Sequence, residues 1–156
     1  MFQQTVIEIE KHSNQKYEYC HETGTMKLDR VLPYPYFYPY SYGFIPGTRA
    51  EDGDEMDTVV ISDTNYKRGE NLSCYIIGAL EMEDEKGMDM KLLVLSKEDY
   101  EKNPTMRDIK DIKPEILEDI KWFFSNYKSK DTTRWSRIGN YLSRTEALYH
   151  YEQSMV

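Results

Sequence analysis

The segment Pro33-Tyr34-Pro35-Tyr36-Phe37-Tyr38-Pro39-Tyr40-Ser41-Tyr42-Gly43-Phe44 restricts the possible folds more than any other. Its three prolines rule out a helix, since each lacks an amide proton and fixes its own φ. They also argue against a central strand, where every N–H must join a ladder. The sequence before this run alternates as strands do. Thr5-Val6-Ile7-Glu8-Ile9-Glu10 puts Val6 on one face and Ile7 and Ile9 on the other. Residues 16–20 alternate too, so Lys16, Glu18 and Cys20 share a face. The turn residues His21-Glu22-Thr23-Gly24 then lead into residues 26–31. A hairpin follows, one that brings Lys16, Glu18 and Arg30 into one neighbourhood.

Beyond the proline run, residues 58–61, 72–80 and 91–95 read as buried strands. Short strands with polar turns predict a mainly β fold built on a small closed barrel. The last third changes period. From Pro114, apolar Ile116, Leu117, Ile120, Phe123, Phe124 and Tyr127 recur at helical spacing. Ser143-Arg144-Thr145-Glu146 matches a capping box and predicts a final helix. Helices therefore flank the barrel. No repeat or flexible linker divides the 156 residues, a length that suits a single domain over 1–156.

Charge narrows the chemistry. Acids outnumber bases 28 to 20, and a formal charge of −8 disfavours nucleic acid and anionic membranes as partners. It favours cations, and an acidic enzyme acting on a polyanion needs metal ions between them. Cys20 and Cys74 have no metal or redox spacing. The start MFQQTVIEIE lacks a basic and apolar leader, and no stretch approaches a membrane span. The expected compartment is the cytoplasm.

Asp52-Gly53-Asp54-Glu55-Met56-Asp57 sets four acids around a glycine, just before an apolar strand. A tight turn there can aim Asp52, Asp54 and Asp57 inward together. Two carboxylates about 4 Å apart repel by roughly 4 kcal/mol at an effective dielectric near 20, so burying several calls for cations or protons. Magnesium suits such a site because it prefers carboxylate oxygens and retained waters. An EF-hand calcium loop does not fit, since its sixth and twelfth positions would fall on Asp57 and Asp63. A solvated acidic turn does fit this motif taken alone. A second acidic turn, Glu81-Met82-Glu83-Asp84-Glu85-Lys86-Gly87-Met88-Asp89-Met90-Lys91, also borders strands. With Lys16, Arg30, Lys91 and Lys128 as a basic set, the two turns read together as a metal-phosphate site.

In this order the motifs resemble the family I soluble inorganic pyrophosphatases. Asp52 to Asp57 looks like that family's D-x-D-P/E-x-D signature, and Lys16-Tyr17-Glu18 like its K-Y-E element. Asp29-Arg30, Phe37-Tyr38-Pro39 with Tyr42-Gly43, and Asp84-Glu85 with Asp89 and Lys91 are similar to further elements. So is Phe123-Phe124 with Tyr127-Lys128, and the matches span about residues 5–135. The resemblance implies a five-stranded OB-like closed β-barrel and hydrolysis of inorganic diphosphate by a metal-activated water. It implies several Mg2+ ions per subunit, with Mn2+ or Zn2+ as substitutes. Asp52, Asp57 and Asp89 would ligate a metal pair that Asp57 bridges, and Asp54 would take or orient the water's proton. Asp84 with Asp89, Glu18 and, through water, Glu8 would serve further ions. Lys16, Arg30, Tyr42, Lys91, Tyr127 and Lys128 would hold phosphate. A homo-oligomer is implied, a hexamer in the usual form, although Trp122 and Asn126 stand where bacterial relatives often carry interfacial histidines.

Each residue also has a plainer reading. Lys16 and Glu18 suit an exposed charged face, and Lys128 suits a helix C-terminus. Tyr38 and Tyr42 suit packing, as do Tyr34, Tyr36 and Tyr40. Three other functions compete: an OB-type nucleic-acid binder with stacking aromatics, a metal-binding module without catalysis, and another metal-dependent phosphohydrolase. The proline-interleaved aromatics and the negative charge weigh against the first.

Overall fold

The computed structural model describes residues 1–128 and 133–156. Strands β1 (Gln3–Ile9), β4 (Ser41–Ile45), β5 (Met56–Val60), β8 (Lys91–Ser96) and β6 (Asn71–Asp84) are neighbours in that order. β6 pairs back onto β1, from Gln3 opposite Cys74 to Val6 opposite Asn71, so the five strands close a ring. All ladders in the ring are antiparallel except β5–β8. β2 (Gln15–Cys20) and β3 (Thr25–Val31) form the separate hairpin read from the sequence, with Lys16 directly opposite Arg30. β7 (Gly87–Met88) folds back on the end of β6, and β9 (Ser136–Leu142) pairs with β6 outside the ring.

β8 and the middle of β6 are buried on both sides, which is why residues 92–95 and 74–80 read as continuous apolar runs rather than alternating. Every residue of β8 is buried, with Leu93 and Leu95 joining one cluster and Leu92 and Val94 the other. The first cluster lies under α2 (Pro114–Asn126), whose Ile120, Phe123 and Phe124 are buried. The second takes Ala147 and Tyr151 from α3 (Arg144–Ser154), which starts at the capping box on Ser143. A short helix α1 (Lys97–Lys102) and a 3-10 turn at Ile109–Asp111 link β8 to α2.

The proline run divides at its last proline. Residues 33–39 form no strand, whereas β4 begins at Ser41 and is fully buried between β1 and β5. The exclusion of a central strand is thus corrected for its final residues. No proline lies within Ser41–Ile45, so every amide there can join a ladder. Gly43 is required where β1 crosses, because a Cβ would stand 2.0 Å from the Val6 carbonyl oxygen. Tyr38 and Tyr42 pack at ring distances of 4.6 Å from Phe123 and 6.0 Å from Phe124. Tyr34 lies outside the core at 79% exposed, where its ring meets that of Phe37 edge-on. β9 was not anticipated. Its half-exposed sequence SRIGNYL carries too little alternation to mark it.

Candidate active site

One cleft with a cavity volume of about 300 Å³ gathers every residue for which the resemblance implies a metal, proton-transfer or phosphate role. Glu8 comes from β1, Lys16 and Glu18 from β2, Arg30 from β3 and Tyr42 from β4. Asp52 and Asp54 come from the turn before β5, Asp57 from its second residue and Asp84 from the end of β6. Asp89 and Lys91 flank the start of β8, and Tyr127 and Lys128 follow α2. The parallel register of β5 and β8 places Asp57 beside Lys91. Gly53, with φ +93°, turns the chain between Asp52 and Asp54 where an L-residue would be strained.

Lys91 is the centre of the buried charge. Its Nζ lies 2.8 Å from Asp57 Oδ2, 2.8 Å from Asp89 Oδ2 and 2.7 Å from the Tyr42 hydroxyl, to which it donates. The side chain is 2% exposed. Burial alone would lower the Lys91 pKa, but the two carboxylates hold it well above the usual lysine value. Burial pushes Asp57 well above the carboxylate range, with Asp89 adding to the shift against the opposing Lys91. Burial would raise Asp89 as well, but Lys91 and the Asp57 hydrogen bond hold it below its usual value. Of the two carboxylates, Asp57 is therefore the one whose charged form burial disfavours more. Burial raises Asp52 to about 6 and Glu8 to about 7, although the Tyr19 amide donates to Glu8 at 2.8 Å.

Other cations of the cleft are also paired with carboxylates. Lys16 Nζ reaches Glu18 at 2.6 Å and Asp29 at 3.1 Å, and Arg30 Nε reaches Asp29 at 3.3 Å. Asp29 was not assigned a role from the sequence. It is the extra residue of a β-bulge between the Lys16–Arg30 and Tyr17–Leu28 pairs, which brings it beside Lys16 despite strict alternation. Lys128 Nζ lies 3.5 Å from Asp84 and 3.7 Å from Glu85. Glu55, Glu85, Lys86 and Arg134 also line the cleft and were given no role from sequence. Their signal was weak, since charged turn residues are most often simply solvated.

Among the described residues, ten carboxylates and six cationic side chains line this cleft. Carboxylates in excess, with cations interleaved among them in one cleft, suit a metal-dependent phosphohydrolase, and the comparisons make the class specific. A sequence profile described as inorganic pyrophosphatase matches residues 5–156. An inorganic pyrophosphatase from Helicobacter pylori is 38% identical over 96% of this chain and 87% of its own length. One from Aquifex pyrophilus is 42% identical over 92% and 81% respectively. The solved structure of the Thermus thermophilus inorganic pyrophosphatase superimposes with a TM-score of 0.92 at 38% identity, covering 97% of this chain and 87% of that one. The chain belongs to the inorganic pyrophosphatase family, whose members are metal-dependent hydrolases of diphosphate.

Whether these residues suit a metal is decided by their chemistry. Among the described residues no three carboxylates, imidazoles or thiolates already form a closed cage. Magnesium does not need one, because it keeps several waters and uses one or two carboxylates together with substrate phosphates. The donors are hard oxygens, four of them within one short turn. Burial raises Glu8, Asp52 and Asp57 because it strips water from their charged forms, and a bound cation would offset that loss. The residues fit.

A carboxyl with a folded pKa above its unfolded one binds more protons when folded, and its contribution to stability is lost as pH rises. For Glu8 that window runs from about 4.5 to about 7, and Asp52 acts in the same direction between 3.8 and about 6. In the presence of a chelator, the thermal midpoint is expected to fall as pH rises from 5 to about 7.5, and magnesium is expected to flatten the trend. A midpoint that rises steadily across the window in chelator would contradict this.

Proposed function

We propose that this chain hydrolyses diphosphate to two phosphates in this cleft with magnesium as its physiological ion, several ions being held per subunit. The observation that carries the reading is the excess of carboxylates over cations around one cavity of about 300 Å³. Asp52, Asp57 and Asp89 would hold the metal pair, Asp84 and Glu18 further ions, and Glu8 would support one through water. When bound, magnesium acidifies water and shields the charge on the diphosphate oxygens.

The protein's own groups do the rest by position. Asp54 is exposed to the cleft rather than tied into the Lys91 network, which suits it to orient the attacking water and accept its proton. Arg30 is able to grip a phosphate through two N–H donors, while Lys16 and Lys128 act as point charges. Tyr127, its pKa raised by burial, stays a neutral hydroxyl donor. Lys91 joins the two halves, since its ammonium contacts metal-side carboxylates and its Tyr42 partner also lines the cleft. Little covalent chemistry falls to the protein, so positioning and electrostatics supply the acceleration.

Assembly as a homo-oligomer, a hexamer in the family's usual form, belongs to the same proposal and rests on the resemblance, from which Trp122 and Asn126 depart. Residence in the cytoplasm is supported by two unpaired cysteines. Among the described residues no helix is long and apolar enough to cross a membrane. Phosphate release from diphosphate and from a phosphate monoester, each with magnesium, tests the substrate. Diphosphate is expected to be strongly preferred, and faster release from the monoester would reverse the reading.

A further inference from the structure

We propose that Thr48 is a positioning residue for the acidic turn, fixing Asp52, Asp54 and Asp57 for metal binding without itself reaching the cleft. The inference rests on the metal role given to those aspartates above.

The turn runs from the end of β4 at Ile45 to the start of β5 at Met56, and Thr48 closes its two ends. The Thr48 hydroxyl donates to the Ile45 carbonyl at 2.6 Å and accepts from the Met56 amide at 2.9 Å. Both bonds are buried, and Thr48 is 5% exposed. One hydroxyl thereby satisfies one backbone group from each strand where the β4–β5 ladder ends, at the Ile45–Met56 pair. Asp57 is the residue after Met56, so the bond that fixes the Met56 amide also sets the start of the strand carrying Asp57.

The neighbouring backbone is anchored from outside. Arg49 N donates to Ser154 O at 2.7 Å, Val156 N donates to Gly47 O at 3.1 Å, and Thr48 forms an isolated bridge with Met155. The last residue of α3 and the chain just past it thus hold both neighbours of Thr48. Further along, Ala50 N donates to Asp54 O at 2.7 Å and Asp54 N donates to Asp52 Oδ1 at 3.1 Å. The turn is therefore pinned at its base by Thr48 and closed on itself at its tip. Thr48 does not line the cleft, so any effect it has on metal must pass through the backbone.

Replacing Thr48 by valine keeps the shape and deletes the hydroxyl, leaving the Ile45 carbonyl and the Met56 amide without that partner. Thr48→Ser keeps both bonds. Residues that orient metal ligands typically change affinity by about 10-fold or more when removed. Calorimetric titration of the folded protein with Mn2+ is the direct readout. Thr48→Val is expected to weaken binding about 10-fold, and Thr48→Ser to stay within about 2-fold of the parent chain, the small residual allowed for added side-chain freedom. Thr5→Val serves as the stability control, because the Thr5 hydroxyl bonds Cys74 on the β1–β6 seam and touches nothing in the turn. Urea unfolding ranks the three variants, and Thr5→Val is expected to lose stability without losing Mn2+ affinity.

Unchanged Mn2+ affinity in Thr48→Val would overturn the inference while leaving the reading of the site intact. Equal weakening in Thr48→Val and Thr5→Val would overturn it too, by tracing the effect to general destabilisation. Should Thr48→Val fail to fold, a Thr48→Ser affinity about 10-fold or more below the parent would count against the inference. A parent chain that takes up no Mn2+ would overturn the metal reading of the site and this inference together.

Discussion

Asp57→Asn is expected to reduce diphosphate turnover by at least about 10³-fold while leaving the fold nearly as stable as the parent. Both halves follow from the same pair of carboxylates. In the metal-free protein burial and Asp89 disfavour the charged form of Asp57, so a neutral amide of the same shape removes a charge that the fold itself opposes. The Lys91 ammonium then keeps Asp89 as its partner at 2.8 Å. With metal bound the carboxylate must be charged, and an amide oxygen cannot supply that charge. Phosphate release at saturating magnesium measures the first half and urea unfolding in chelator the second. A variant that retained most of its rate would remove Asp57 from the metal pair.

Lys91→Met should be the most destabilising change in the cleft when metal is absent. It leaves Asp57 and Asp89 buried without the ammonium that both contact, and breaking a buried pair costs about 3–5 kcal/mol. The loss should shrink as pH falls, because a proton on Asp57 removes part of the uncompensated charge. It should also shrink when magnesium is added, since an ion that binds only the folded state stabilises it by mass action. Urea unfolding in chelator at two pH values, repeated with magnesium, checks both directions. A loss below about 1 kcal/mol at neutral pH in chelator, the range of an exposed pair, would show that Lys91 does not carry the buried charge.

These two variants also mark what the sequence could and could not convey. The identities of Asp57, Asp89 and Lys91 were legible, because acids around a glycine at a strand border stand out. Their contact was not, because it depends on parallel pairing of β5 with β8 across an intervening long strand. Nothing local in either segment encodes that partner choice. The hairpin was legible because strict alternation and a turn rich in polar residues specify it, and Lys16 does oppose Arg30. Asp29 was harder, since alternation assigns it the face away from Arg30 and only the bulge brings it beside Lys16.

The same contrast runs through the fold. α2 announced itself through apolar positions at helical spacing, and α3 through its capping box, since both signals are local. β4 was masked by the prolines just ahead of it, and β9 by its exposed, weakly alternating sequence. Closure of the ring through β1 and β6 joins residues far apart in the chain. Short strands predict that some closure must occur, because open edges invite aggregation. They do not say which strands meet.

The central claim is that one cleft combines metal-held water with cation-held diphosphate, and phosphate release by the purified chain tests it most directly. The protein is first freed of metal with chelator, then given diphosphate while magnesium is raised stepwise. Release is expected to be near background in chelator and to climb with magnesium to saturation, falling again when chelator is returned in excess. A rate in chelator equal to the rate at saturating magnesium, or no release at any magnesium concentration, would contradict the account.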